Sequence, residues 1–320
     1  MSKSRRDVLR AATAAAGLAA FGAAGTGSAS AAPTAPGRTG RALAPTGSRR
    51  SSFRDASGKV TVAVFSRRGN PAQQHWTDQT LLVGDGDMIA IGGGATAVDL
   101  PNGALLTASY PNDDLTGWTV SSKDHKVAQP HELVTYVIGL KIAGMTRDQL
   151  RRAVHVARAD SGAAPHPEAE AGIPSSSDYV LVGGGFQVNW HGAGNLATAS
   201  FPSTDFSWKA RSKDHMISDP ANIRSYAISL RRDLPAGRVS GAVARAESAQ
   251  AAHPAAVATL PPGYALTGGG GEAHWRTAGS LLWKLEPSTS STPSFGAAAK
   301  DHLISDPSTI TAYALGIRID

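Results

Sequence analysis

From about residue 60 to its end, the chain is written in short runs in which apolar and polar positions alternate with a period of two. Val60-Thr61-Val62-Ala63-Val64-Phe65 is rich in β-branched side chains and predicts a strand. Tyr179-Val180-Leu181-Val182 runs into a triple glycine, and Gln187-Val188-Asn189-Trp190 resumes beyond it. Leu196 to Phe201, Trp208 to Lys213 and Ser225 to Leu230 are further strands, the first ended by Pro202. Five or six such strands at roughly ten-residue spacing are the pattern of a small antiparallel sandwich or barrel. Met145 to Ala157 shows some helical spacing but is crowded with Arg147, Asp148, Arg151 and Arg152, and reads as a linker with at most one helical turn.

The same pattern is written three times. Lys-Asp-His occurs at 123–125, 213–215 and 300–302, and a Tyr follows each His by eleven residues (Tyr136, Tyr226, Tyr313). A triple glycine precedes each block at 92–94, 183–185 and 268–270; its last Gly lies eleven residues before Leu105, Leu196 or Leu281 and seventeen before Pro111, Pro202 or Pro287. Trp118, Trp208 and Phe295 each stand five residues before the Lys. Arg67 and His75, Arg158 and His166, and Arg245 and His253 are all eight apart. The Pro-to-aromatic interval alone varies, at seven, six and eight residues, which marks it as a surface loop in every copy. The expected fold is therefore all-β: three homologous antiparallel β-sandwich-like repeats at 58–142, 149–232 and 238–320. Their length favours separate beads, whereas their short, constant linkers favour closure around a pseudo-threefold axis, as in trefoil or prism folds. Three glycines in a strand imply a bulge, a positive φ or close approach by a neighbour. No Lys-Ser/Thr follows them, so a phosphate loop is excluded.

Charge changes the picture mainly at the front of the chain. The formal net charge is +6, but residues 1–57 carry +7, leaving the remainder at −1. A near-neutral repeat region lacks the cationic field of a nucleic-acid binder. Ser4-Arg5-Arg6-Asp7-Val8-Leu9-Arg10, the apolar Ala11–Ala24 and the small-x-small Ala29-Ser30-Ala31 resemble a twin-arginine export signal, which implies a leader over 1–31 and a secreted protein. Residues 32–57, rich in Pro, Gly, Ser and Arg, read as a disordered linker. No run reaches membrane-spanning length, and with no cysteine in 320 residues each core must hold without disulfides.

Candidate chemistry falls on the matched positions. Lys123, Asp124, His125, Lys213, Asp214, His215, Lys300, Asp301 and His302, with Arg67, His75, Arg158, His166, Arg245 and His253, form one polar set per copy. Such sets either pin strand ends as ion networks and Asp-capped turns, or hold a ligand. Trp118, Trp208 and Phe295 are expected in the core. Trp190 and Trp275, which match Asp99 in the first copy and sit among polar residues before a glycine turn, suit a binding loop. Aromatic rings beside Asp, Arg and His are the kind of set that holds a sugar.

Catalysis has less behind it. Ser122 and Ser212 beside Asp-His would suggest a hydrolytic triad, but Ala299 replaces the Ser in the third copy and no Gly-x-Ser-x-Gly elbow exists. No His spacing marks a metal site, and no cofactor is expected. The Tyr-Ala-Ile-Gly type strand (Tyr136-Val137-Ile138-Gly139, Tyr226-Ala227-Ile228-Ser229, Tyr313-Ala314-Leu315-Gly316) resembles the last strand of H-type lectin domains over a few residues per copy. That resemblance implies small sandwiches acting as trimers, so three copies would make a covalent pseudo-trimer. The expectation is a secreted, non-catalytic, multivalent binder of a glycan or cell-envelope polymer, with an Asp/His hydrolase and a structural surface protein as alternatives.

Overall fold

The computed structural model describes residues 44–320; the expected leader (1–31) and the linker up to residue 43 lie outside the described residues. Part of the expected linker is a strand. β1 (Ser48–Arg54) pairs antiparallel with β2 (Val60–Arg68), burying Phe53 and leaving its arginines exposed. Composition conceals it because one buried side chain and a backbone ladder suffice to hold an edge strand, and arginines suit an exposed edge.

The first repeat continues with β3 (His75–Leu82), β4 (Ile89–Thr96), β5 (Leu105–Pro111), β6 (Gly117–Lys123) and β7 (Val134–Ile142). The second opens with a two-turn helix, α1 (Arg147–Ala153), where at most one turn is expected. Thr146 and Gln149 form a reciprocal capping box, and Leu150 and Ala153 are buried beneath it. A capping box plus two buried residues outweighs the polarity of the arginines. Then come β8 (Val154–Asp160), β9 (Glu168–Gly172), β10 (Tyr179–Asn189), β11 (Leu196–Thr204), β12 (Ser207–Lys213) and β13 (Asn222–Arg231). After the short β14 (Asp233–Leu234), the third repeat holds β15 (Gly237–Glu247), β16 (Ala255–Thr259), β17 (Ala265–Ala273), β18 (Leu281–Pro287), β19 (Ser294–Lys300) and β20 (Ile310–Ile319).

The repeats are closed, not strung. Three sheets run β1-β2-β7-β4-β18-β19-β16, β3-β6-β5-β10-β13-β8 and β14-β15-β20-β17-β11-β12-β9. Each repeat thus gives three strands to one sheet and three to another, and each sheet is completed by the next repeat. The joins are the pairs β5–β10, β11–β17 and β4–β18. No repeat has a complete sandwich of its own.

The triple glycine makes this closure possible, with a separate task for each residue. A Cβ on the first glycine would press on the neighbouring repeats: Gly268 lies against Gly183, and Gly92 against Thr267 and Gly268. On the middle glycine it would overlap a buried ring: Gly93 on Trp118, Gly184 on Trp208, Gly269 on Phe295. On the last it would strike the carbonyl of the joining strand: Gly94 on Leu285, Gly185 on Ser109, Gly270 on Ser200. The three rings are fully buried, as expected, and Trp118 and Trp208 donate Nε1 to Ser109 and Ser200 at 2.8 and 2.9 Å.

Candidate functional site: the junctions between repeats

Each Lys-Asp-His block ends the strand β6, β12 or β19 and reaches across to the loop that follows the glycine strand of the next repeat. Lys123 Nζ donates to the carbonyls of Gly192 and Ala193 at 3.1 and 2.8 Å. Lys213 Nζ donates to Thr277, Ala278 and Gly279, and Lys300 Nζ to Asp99 and Asn102. The same loop's amides are held from within its own repeat, by Gln129, Asp219 or Asp306. Each junction is therefore a loop clasped by its carbonyls from one repeat and by its amides from another.

The histidines of the blocks meet on the pseudo-threefold axis. His125 Nε2 lies 2.8 Å from the His215 carbonyl oxygen, His215 Nε2 2.7 Å from that of His302, and His302 Nε2 2.8 Å from that of His125. Each Nδ1 faces a loop carbonyl, of Ala193, Ala278 or Asn102. Six carbonyl contacts thus share three imidazoles, and a neutral ring has one N–H. Charging the rings would supply the missing donors. It would also set three cations 5.3–5.5 Å apart between ring centres. Two unit charges at such a separation repel by about 3 kcal/mol at an effective dielectric of about 20, as much as a charged hydrogen bond returns. Burial holds His125 at about 4 and lowers His215 and His302 below the ordinary value, helped by the neighbouring rings at His125, by Lys213 and Lys126 at His215, and by His215 and Lys300 at His302. At neutral pH the ring is uncharged.

The lysines are also buried, and desolvation lowers all three, Lys123 and Lys213 to about 8. The aspartates of the blocks cap turns. Asp124, Asp214 and Asp301 each accept through Oδ2 from the amide five residues on, at 2.9–3.0 Å. The Lys and His side chains of these nine residues are buried and bonded to backbone carbonyls, an arrangement that ties neighbouring repeats together.

At the surface of the junctions stand a half-buried loop aromatic (Trp190 or Trp275) and an exposed histidine at or just before the start of β3, β9 or β16. Lys123 Nζ sits 3.8 Å from the centre of the Trp190 ring, and Lys213 Nζ 3.8 Å from that of Trp275, so each indole has a cation behind one face. His75 meets Trp190 edge-on at 5.7 Å and His166 meets Trp275 edge-on at 5.2 Å, in each case across two repeats. His75 also lies 3.0 Å from Asp124. The third junction has Asp99 in place of the ring, and His253 Nδ1 lies 2.6 Å from its carboxylate. The chain matches no protein-family model and no curated protein sequence.

Beside Trp275 opens a cavity of about 420 Å³, lined by His166, Glu168, Thr198, Arg211, Ser212 and Glu272 among others. Arg211 is held between Glu168 (2.5 Å) and Glu272 (2.6 Å), which fixes a guanidinium and two carboxylates on its wall. A cavity of about 370 Å³ at the third junction is lined by Pro101, Asn102, His253, Lys300 and Asp301 among others, with no Trp, Tyr or Phe ring. Arg67, Arg158 and Arg245 are not brought to these places. Arg67 lines a separate cavity with Trp76, Arg158 pairs with Asp113 at 2.5 Å and covers Tyr226, and Arg245 stands opposite Tyr313 in the ladder.

Arg211, Glu272 and Glu168 escape a reading based on matched positions because the other copies differ there. Arg211 corresponds to Ser121 and Ala298, and Glu272 to Thr96 and Gln187. A strand position that is charged in one copy and small or neutral in the others is the signal that would have found them. Among the described residues, no group of three or more His, Cys, Asp or Glu is placed to hold a metal ion, and no helix is long and apolar enough to cross a membrane.

Proposed function

We propose that this is a secreted, non-catalytic, multivalent binding protein whose ligand is a glycan or cell-envelope polymer, held at the junctions between repeats. The observation that carries it is Trp275: an indole backed by a buried ammonium, flanked by His166 and opening on a polar cavity with an Arg211–Glu272 pair. The ring offers an apolar face to a pyranose, and the charged pair offers matched donors and acceptors to its hydroxyls. A volume of about 420 Å³ falls in the range of small-ligand sites, roughly 300–1,000 Å³. Trp190 repeats the Lys-backed, His-flanked ring at the first junction, and linking sites in one rigid body raises avidity by roughly 10²–10⁴ when both engage one polymer. Export rests on the twin-arginine resemblance of the leader.

The test is retention of the mature chain on immobilised polysaccharides and purified cell walls. Trp275→Ala should weaken retention by about 10- to 100-fold with the fold intact, the loss expected for a central aromatic. A well-folded sample that no glycan or wall retains would remove the reading.

A further inference from the structure

The three junctions carry the same clasp but not the same cavity, and one buried hydroxyl separates them. Ser122, in the first repeat, lies 2.7 Å from His131 Nε2. In the second repeat the position of His131 is taken by Ala221, and in the third the serine itself is Ala299. Ser212 is 2% exposed, and with Ala221 in place of a histidine its Oγ has no hydrogen-bond partner among the described residues. It lines the cavity beside Trp275. An unpartnered buried hydroxyl costs free energy that a ligand hydroxyl placed there would recover.

We infer that the junction between the second and third repeats is the principal ligand site, taking one pyranose unit with a vicinal diol, one of whose hydroxyls is received by Ser212 Oγ. This rests on the glycan reading and specifies its chemistry. The indole of Trp275 supplies the stacking face. Arg211 and Glu272, fixed 2.6 Å apart, present a donor and an acceptor side by side, the pattern that two adjacent hydroxyls can bridge. His166, unlike His75 and His253, makes no carboxylate contact among the described residues, so its ring nitrogens remain available to the ligand. The first junction keeps a ring but satisfies its serine and its histidine internally. The third has neither ring nor serine. They serve as weaker auxiliary contacts for a polymer.

The experiment titrates the mature chain with the methyl glycosides of glucose, galactose, mannose and N-acetylglucosamine by calorimetry. One of these sugars should bind, and Ser212→Ala should weaken it by about 2- to 13-fold, the worth of one hydrogen bond. The same variant should melt at the same temperature as the parent or higher, because it removes an unpartnered buried hydroxyl; a merely structural hydroxyl would show the reverse. Trp190→Ala, at the auxiliary first junction, should weaken the monosaccharide less than Ser212→Ala does. If a sugar binds but Trp190→Ala weakens it and Ser212→Ala does not, the assignment of the principal site is overturned while the glycan reading stands. If none of the four binds and the parent is also not retained on any polysaccharide, both fall; retention without monosaccharide binding overturns the single-unit site alone.

Discussion

Gly184→Ala should unfold the protein or destabilise it by more than about 3 kcal/mol, toward or beyond the upper end of overpacking effects. The added methyl would overlap the Trp208 ring and lie 2.5 Å from the Tyr226 carbonyl oxygen, both fully embedded. Neither can retreat: Trp208 is pinned by its bond to Ser200, and Tyr226 is in the middle of the β10–β13 ladder. A loss of this size is a large fraction of the roughly 5–15 kcal/mol that a domain has in total. Gly86→Ala, where nothing lies within 4 Å of the new methyl, should change stability by less than about 0.5 kcal/mol. Chemical denaturation of the two variants against the parent checks the pair. Equal, small effects would show that the glycines are not packing devices.

Acid should destabilise the protein steeply between pH 6.5 and about 4. The imidazoles of His125, His215 and His302, and that of His131, are all held below the ordinary value of 6.5, His125 at about 4, chiefly by burial. As pH falls through 6.5 the unfolded chain binds these protons first, so stability is intact above that pH and is lost on the way down to the folded-state values. Each ring contributes at most about 1.4 kcal/mol per pH unit, so the axial three together reach about 4 kcal/mol per unit. Denaturant midpoints measured at pH 7, 6 and 5 read the slope. Replacing the axial histidines by glutamine, in any variant that still folds, should flatten it; a midpoint that rises or stays level from pH 7 to 5 would mean the rings are not buried neutral at the axis.

How the chain announces this fold can be judged residue by residue. The strands were legible because alternation at Val60–Phe65 or Ser225–Leu230 reflects one buried face, and the repeats because fixed spacings reflect equivalent ladders. The glycine triplet signalled close approach without saying to what, since the partners, Trp208 and Ser109 for the second repeat, come from a different strand and a different repeat. The Lys-Asp-His blocks stood out because each one clasps a neighbouring repeat. They are repeated because the closed ring needs one clasp per junction, and residues that must satisfy backbone carbonyls are copied with the fold. Trp190 and Trp275 were visible as candidates because they broke the pattern at Asp99. Arg211, Glu272 and Ser212 broke it too, but their convergence depends on strands of two repeats joining at β11–β17, which no local pattern records. β1 and α1 were hidden by arginines, whose long side chains lie at the surface while small neighbours carry the burial.

Differential scanning calorimetry bears most directly on the claim that three repeats share their sheets and so build their sites together. With no repeat owning a complete sandwich, the mature chain should melt in one transition whose calorimetric and van't Hoff enthalpies agree, a ratio of about 1. Three independent beads would melt with a ratio of about 3 or in separate steps, and that result would contradict the closed ring and the composite junctions with it.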